Sequence, residues 1–409
     1  MKTRTLRLAS AVLAVLFCTE TFAQTSGGLT AQSEFPVTTA VPFLRIIPDA
    51  RSGGMGDAGI GLEADANAMF HNPAKLAFAK KPLGVSMSYV PWLRSLVNDI
   101  YMANVSAYYK LDDLQAIGMS MRYFSLGNIQ FTNVQGENTG EFRPNEFALD
   151  AAYSRQLVKI KKGGGFAAGL ALRFIYSNLA SGQTIAGVDI QPGLAGAADI
   201  AFAYNQDFKL AKKYKTNLAI GLNFSNIGSK ITYTESAEKD FIPMNMGLGV
   251  QYQFNFDDHN QINLAVDMNK LLVPTPSTED DDSNGIYDYR EKSVPQALFT
   301  SWGDAPNGFS EELREITWSI GLEYWYDQQF AIRFGYFNEN ENKGNRQFFT
   351  AGLGLRFKVF GLDFSYLIPT SSQRNPLDNT MRFTLMFQFN EFKKKQEAQP
   401  DGTSSLVKF

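Results

Sequence analysis

Among the residue types that bind ions or carry out reactions, the densest group is the acidic segment D-D-D-S-N-G-I-Y-D-Y-R-E at residues 280–291. It fits the calcium-loop pattern, in which oxygen ligands alternate around a tight turn and so surround one ion. The ligands in this pattern are Asp280, Asp282, Asn284, the carbonyl of Ile286, Asp288 and Glu291. No flanking helices are expected, and a solvated acidic loop is the alternative. Calcium is therefore the one candidate ion, and no cofactor is expected to be required.

Catalytic chemistry has little support in this sequence. The chain has two histidines, of which His259 falls in a predicted surface turn, away from any fixed nucleophile and acid. Nothing marks a nucleophile for His71, so a hydrogen-bonded structural role is favoured over a catalytic one. The single cysteine, Cys18, lies in a predicted export signal, so a mature chain without it has no thiol for disulfides, thiolate metal sites or catalysis. The sequence predicts a protein that is not an enzyme.

The elements that carry these groups are predicted to be long amphipathic strands. Residues 245–256 read N-M-G-L-G-V-Q-Y-Q-F-N-F, with apolar and polar side chains in strict alternation. Successive side chains of a strand point to opposite faces, so such a strand has one apolar and one polar side. Mean hydropathy is −0.20, and beyond the N-terminus no apolar run is long enough for a spanning helix. An alternating barrel hides its apolar content from such averages, which favours a membrane-embedded β-barrel.

The same alternation predicts fourteen antiparallel strands, and hence an outer-membrane β-barrel whose short turns lie on the periplasmic side and whose long loops lie outside. The predicted strands are residues 83–92, 98–110, 113–126, 145–158, 165–178, 195–208, 215–227, 242–256, 260–271, 316–327, 329–339, 347–358, 360–368 and 380–390.

The predicted inner faces carry charges of both signs at similar numbers. These residues are Arg122, Glu146, Asp150, Arg173, Asp199, Asp267, Glu323, Arg333, Arg356, Asp363 and Arg382. Mixed signs predict cross-strand ion pairs that fill the lumen rather than a filter for ions of one sign. The net charge of −3 gives no support for a nucleic-acid partner.

Four regions are predicted along the chain. Residues 1–23 resemble a cleaved export signal, with an alternative as a lipoprotein signal at Cys18 that the bulky Phe17 disfavours. Residues 24–82 are predicted as an N-terminal periplasmic segment and a Gly- and Ala-rich hatch inside the barrel, with a periplasmic strap as the alternative. Residues 83–390 form the barrel, and residues 391–409 form a flexible periplasmic tail.

The connection near residues 272–315 is too long to be a simple link between strands. It carries Leu298, Phe299, Trp302 and Phe309 at positions predicted to lie outside the bilayer. Contact with a protein partner and inward folding over the barrel mouth explain these side chains equally well. Both interpretations stay open at the level of sequence.

Several blocks of the chain resemble the PorV family of the type IX secretion system. These blocks are P-F-L-R-I-I-P-D-A-R-S-G-G-M-G-D-A-G at 42–59, D-A-N-A-M-F-H-N-P-A-K-L-A-F at 65–78, S-Y-V-P-W-L-R-S-L-V-N-D-I at 88–100, K-L-L-V-P-T-P at 270–276 and S-W-G-D-A-P-N-G-F-S-E-E-L-R-E-I at 301–316. That family is related to the fourteen-stranded long-chain fatty acid transporter barrels, which resemble FadL. Those barrels also have an N-terminal hatch with an Asn-Pro-Ala element, here Asn72, Pro73 and Ala74.

The resemblance implies a non-enzymatic shuttle in the outer membrane. It would bind the C-terminal signal domains of secreted cargo leaving the SprA translocon. It would then deliver that cargo to an attachment complex containing the protease PorU, which links cargo to surface lipopolysaccharide among the outer membrane lipids. Calcium binding is not implied by the resemblance. The alternative is a FadL-like transporter of hydrophobic small molecules.

On this interpretation we expect partner contact at two outer loops. The residues are Trp92, Leu93 and Arg94 in the first loop, and Trp302, Phe309 and Leu313 in the long loop. Aromatic and arginine side chains dominate the energetics of protein interfaces. The alternative for Trp92 is a place in the aromatic girdle at the membrane interface.

Overall fold

The computed structural model describes residues 36–93, 97, 99–132, 135–160, 164–185, 187–210, 214–235, 238–370 and 380–390. The predicted export signal, the predicted tail at 391–409 and Arg94 lie outside the described residues. No helix in the described part is long and apolar enough to cross a lipid bilayer.

Strands dominate the described chain and are numbered β1 to β18 in chain order. They are β1 Leu83–Pro91, β2 Ile100–Lys110, β3 Gln115–Leu126, β4 Ile129–Thr132, β5 Asn138–Phe142, β6 Asn145–Ile160, β7 Gly164–Asn178, β8 Thr184–Ile185, β9 Val188–Asp189, β10 Gly193–Leu210, β11 Tyr214–Gly228, β12 Asn245–Asn255, β13 Asn260–Leu271, β14 Thr317–Tyr326, β15 Phe330–Asn338, β16 Gln347–Phe357, β17 Phe360–Pro369 and β18 Met381–Phe389.

Fourteen of these strands close into one antiparallel barrel, in which β1 pairs with both β2 and β18. The predicted fold class and strand number are confirmed, and each predicted strand corresponds to one strand of the ring. The remaining four form two small hairpins, β4 with β5 and β8 with β9, inside connections for which the sequence predicts no strands. Closure leaves no unpaired strand edge, which a lipid-embedded sheet requires.

The alternation of side chains sorts each strand into an inner and an outer face. In β14 buried residues alternate with exposed or half-buried ones, with Glu323 fully buried and Trp318, Ile320 and Leu322 each more than 40% exposed. Of the eleven charged residues predicted on the inner faces, all but Arg356 are buried. The exposed apolar face is the surface that would contact lipid.

The two ends of the barrel differ in the length of their connections. At one end, which we call the short-turn end, the strands are joined by tight turns such as 256–259 and 327–329. At the other, the long-loop end, the connections are longer and include 127–144, 229–244 and 272–316. This asymmetry is the one the sequence predicted, and it is typical of outer-membrane barrels.

The described residues that precede β1 occupy the lumen. Short 3-10 helices at Pro42–Arg45 and Pro73–Phe78 and α-helices at Ala50–Gly53 and Ala68–His71 punctuate this segment. Its backbone lies directly against the barrel wall, because a Cβ added at Gly221 would meet the carbonyl oxygen of Ile60 at 2.6 Å. We call residues 42–79 the hatch. Small residues on both surfaces permit this close approach.

The hatch runs through the lumen from the long-loop end to the short-turn end. At its start, the amide of Ala40 donates to the carbonyl of Phe241 in the 229–244 loop over 2.9 Å, and Phe43 packs among Phe124 and Ile242. At its finish, the carbonyl of Ala79 accepts from Lys110 over 3.1 Å beside the first short turn. The described residues therefore place a plug inside the barrel rather than a strap across its mouth.

Candidate functional surface at the long-loop end

Buried ion pairs fix the hatch to the barrel wall. Arg51 of the hatch donates to both oxygens of Glu323 over 2.9 and 3.1 Å, and Arg333 donates to the same carboxylate over 2.6 Å. Arg333 continues to Asp363 over 2.8 Å. Buried charges persist only where they are paired and hydrogen-bonded, so this chain of alternating charges confirms the predicted lumen-filling ion pairs.

The Asn72-Pro73-Ala74 element joins the hatch to strand β10. The Asn72 side chain caps the following 3-10 helix by accepting from the amide of Ala74 over 3.0 Å. Its amide nitrogen donates to the carbonyl of Phe202 in β10 over 2.9 Å. Pro73 occupies the first helical turn, where its missing N–H costs nothing. Contact of Ala74 with Gly169 brings the two backbones together.

Beside the hatch, which forms part of its wall, the lumen holds a cavity of about 430 Å³. Its lining combines apolar side chains, such as Phe43, Trp92 and Phe348, with the guanidinium groups of Arg346 and Arg382. Those cations are already paired within the protein, Arg346 with Glu339 over 2.6 Å and Arg382 with Asp57 over 3.2 Å. The cavity is therefore amphipathic, and its arginines are not free charges awaiting an anion.

The long loop at 272–316 is structured and covers the barrel mouth. It contains α-helices at Asp288–Glu291, Val294–Thr300 and Phe309–Arg314, which the sequence analysis did not predict. Ala297 is fully buried, and Leu298 packs against the apolar cluster at the mouth. Inward folding therefore explains part of the loop's apolar content.

Four large apolar side chains of the same loop point to solvent instead. Phe299 is 77% exposed, Phe309 74%, Leu313 52% and Trp302 46%. We call these four residues the apolar patch. Phe309 and Leu313 lie four residues apart in one helix and so share a face, and exposed apolar groups that gather on one surface indicate an interaction site. Three of the residues predicted for partner contact thus lie accessible at the long-loop end.

The short helix at Phe309–Arg314 buries its acidic side chains and exposes its apolar ones. Glu311 and Glu312 are 0% and 3% exposed, while Phe309 and Leu313 are turned outward. The buried carboxylates are held by two lysines from distant segments, Lys270 and Lys343. Burial opposes the charge of Glu311, but hydrogen bonds from Lys343 outweigh it and lower the pKa of that carboxyl. The sequence analysis missed both lysines and both glutamates.

The first outer loop lies partly against the barrel mouth. Trp92 is half-buried and stacks edge-on against the inner-face residue Phe124, with ring centroids 6.4 Å apart. It therefore does not belong to the row of outward tyrosines formed by Tyr89, Tyr101 and Tyr123. In that row the ring centroids of Tyr89 and Tyr101 are 5.6 Å apart, and those of Tyr101 and Tyr123 are 6.2 Å apart. Leu93 follows with a positive φ of 52°. The placement of Arg94 falls outside the described residues.

The acidic segment brings three carboxylates together. Oxygens of Asp280, Asp282 and Asp288 lie within 4.8 Å of one another. The amide of Gly285 donates to Asp280 over 3.0 Å, and Asn284 reaches Glu291 over 2.9 Å. An α-helix begins at Asp288 inside the segment, although no flanking helix was expected. Glu291, which the calcium-loop pattern also includes, lies outside this cluster of three carboxylates.

Neither histidine forms a catalytic arrangement in the described residues. His71 is buried and its Nε2 lies 2.8 Å from Asp49, which also caps the helix at Ala50–Gly53. His259 lies exposed in a short turn, where its Nδ1 is 2.8 Å from Asp327 and this hydrogen bond raises its pKa. Each histidine is therefore paired with an aspartate.

Comparison with known proteins gives one family. The model of the family described as type IX secretion system protein PorV matches residues 29–278, more than half of the chain. The comparison with curated protein sequences gave no match.

Solved structures with a similar arrangement are transporter barrels at low identity. The Ralstonia pickettii toluene transporter TbuX is 11% identical, with 84% of this chain and 98% of that chain covered and a TM-score of 0.45. The P. putida toluene transporter TodX is 12% identical, with 84% and 99% covered and a TM-score of 0.47. A Pseudomonas aeruginosa FadL homologue is 11% identical, with 88% and 100% covered and a TM-score of 0.40.

Proposed function

Because the chain belongs to the PorV family of the type IX secretion system, we propose that it works in the outer membrane as a cargo shuttle. It binds the C-terminal signal domain of cargo leaving the SprA translocon and delivers that cargo to the PorU-containing attachment complex at the cell surface. The fixed hatch supports a role at the barrel rim over conduction through the lumen. The proposal also includes export through cleavage after residue 23 and a periplasmic tail at 391–409.

The apolar patch is the observation that carries this proposal. Its four side chains stand at the long-loop end, on a loop anchored by buried contacts at Ala297 and Leu298. Burying a Phe or Leu side chain contributes roughly 1.5–3 kcal/mol, so a partner that covered the patch would gain several kcal/mol. Rigid presentation lowers the entropic cost of binding. Partner contact by Trp92, Leu93 and Arg94 belongs to the same proposal.

The test is capture of partners from solubilised outer membranes by tagged protein. Phe309→Ala with Leu313→Ala should reduce recovery of the translocon or of cargo signal domains by at least about tenfold, since hot-spot truncations cost 2 kcal/mol or more. The control is Phe256→Ala, a phenylalanine 46% exposed in a turn at the opposite end of the barrel. Undiminished capture by the double variant would place the contact elsewhere.

The second candidate function is transport of hydrophobic small molecules, which the cavity of about 430 Å³ favours. Deletion of the gene separates the two. Loss of surface proteins with uncleaved cargo in the periplasm supports the shuttle, whereas normal secretion with poor growth on a hydrophobic carbon source supports transport.

We also propose that the 280–291 segment binds calcium through its acidic oxygens. The approach of Asp280, Asp282 and Asp288 supports this, since hard cations prefer clustered carboxylates. Calorimetric titration of the protein with calcium should give a heat that is lost in Asp280→Asn with Asp288→Asn. The absence of any calcium heat in the unaltered protein would remove the proposal.

A further inference from the structure

Five buried charged side chains meet beneath the long loop. Lys270, at the end of β13, lies 2.8 Å from Glu312 and 2.7 Å from Glu315. Lys343, in the 339–346 loop, lies 3.1 Å from Glu315 and also pairs with Glu311. None of the five is more than 9% exposed. We call Lys270, Lys343, Glu311, Glu312 and Glu315 the loop clamp.

The carboxylates of the loop clamp accept further hydrogen bonds from the loop itself. The amide of Ala305 donates to Glu312 and the amide of Asn307 to Glu311, each over 2.9 Å. The hydroxyl of Thr275 donates to Glu315 over 2.8 Å. Charges taken out of water are tolerated only with this degree of pairing and hydrogen bonding. The loop clamp therefore joins the start of the loop, its end, β13 and a neighbouring loop.

The loop clamp also accounts for the orientation of the helix at Phe309–Arg314. A helix of this length is not stable alone, so its orientation is set by tertiary contacts. Residues four apart share one face of a helix, which places Phe309 and Leu313 together. With Glu311 and Glu312 drawn inward to the lysines, that apolar face is turned to solvent. Without the lysines, the opposite orientation, with Phe309 buried and the glutamates in water, is the favoured one.

Resting on the proposed function, we infer that the loop clamp is a positioning device that presents Phe309 and Leu313 to a partner protein. Lys270 and Lys343 are themselves buried, at 3% and 6% exposed. They act through the helix, by holding its carboxylates beneath the loop. The partner surface that fits this arrangement is an apolar pocket able to take a phenylalanine and a leucine from one helical face.

The experiment uses the full chain in detergent and two readouts. Hydrogen exchange of residues 301–316 reports whether the loop is held, and capture of the translocon or cargo reports presentation. Lys343→Met should raise exchange in this stretch by at least about tenfold, because removing one partner leaves buried carboxylates unpaired. Lys270→Met should act in the same direction. The control is Lys239→Met, a lysine exposed in the 229–244 loop.

The outcomes separate the two proposals. Faster exchange together with reduced capture supports the inference, and adding Glu311→Gln to Lys343→Met should recover part of the protection. Unchanged exchange overturns it. The inference is also overturned if the lysine variants show faster exchange but full capture, while the Phe309→Ala with Leu313→Ala variant loses capture. If that double variant captures normally, the docking role fails while faster exchange still identifies the loop clamp as the anchor of the loop.

Discussion

Replacing Arg51 with methionine should loosen the hatch while the barrel stays closed. Arg51 is 7% exposed in its side chain and pairs with a fully buried Glu323. Removing one partner of a buried ion pair costs about 3–5 kcal/mol. In the variant Glu323 still accepts hydrogen bonds from Arg333 over 2.6 Å and from Asn263 over 2.7 Å, so the expected cost is at the lower end of that range. About 3 kcal/mol corresponds to a hatch that opens roughly 150-fold more often.

The assay is thiol labelling of a single cysteine. Cys18, the single cysteine of the chain, is replaced by serine, and Ala77 in the hatch is 1% exposed, so Ala77→Cys reports opening. The control is Lys80→Met, which removes a 2.6 Å pair with Glu63 from a lysine side chain that is 70% exposed. Exposed pairs contribute about 0–1 kcal/mol, so labelling should rise at most about fivefold.

The two variants must therefore differ by more than about tenfold in labelling rate. Equal rates would refute the reasoning that the buried ion pairs, rather than backbone packing alone, hold the hatch. Heat-dependent gel migration checks that both barrels are closed.

Three further predictions concern the hatch backbone, His259 and the loop clamp. Gly335→Ala should displace the hatch and speed the same labelling reaction, because a Cβ there would collide with the backbone at Gly56, whereas Gly196→Ala, with nothing within 4 Å, should not. NMR titration should find the pKa of His259 raised above about 6.5 by its hydrogen bond to Asp327. The stability that this pair contributes is fully present below a pH of about 6.5 and is lost as the pH rises through the raised pKa. The pKa of Glu311 is lowered, so the stability that the loop clamp gives to the loop is fully present above the usual pKa of a glutamate and is lost as the pH falls through the lowered pKa. Hydrogen exchange of residues 301–316, corrected for its intrinsic pH dependence, should therefore become faster on acidification.

The strands and their faces were predictable because their information is local. An alternation with a period of two residues, as in 245–256, defines which side chains share a face without reference to any other part of the chain. The fourteen barrel strands and the inner-face charges were predicted on that basis and are confirmed. The lengths of the connections likewise distinguished the two ends of the barrel.

The loops were less predictable because their conformation depends on distant residues. The helix at Phe309–Arg314 has two adjacent glutamates, which sequence alone assigns to solvent. They are buried because Lys270 and Lys343, which are 42 and 32 residues from their partners Glu312 and Glu311, meet them beneath the loop. The sequence allowed two places for Trp92, in the aromatic girdle or in a partner-binding outer loop. In the structure its ring packs on Phe124 at the barrel mouth.

Residue order along the chain therefore determined a closed barrel with an apolar outer face, since each strand needs only its own alternation to sort its side chains. Which charges pair in the lumen, how the hatch is seated and which side of the long loop faces outward depend on groups far apart in sequence. Those groups come within hydrogen-bonding distance only when the ring closes, and the cost of leaving a buried charge unpaired then selects one arrangement.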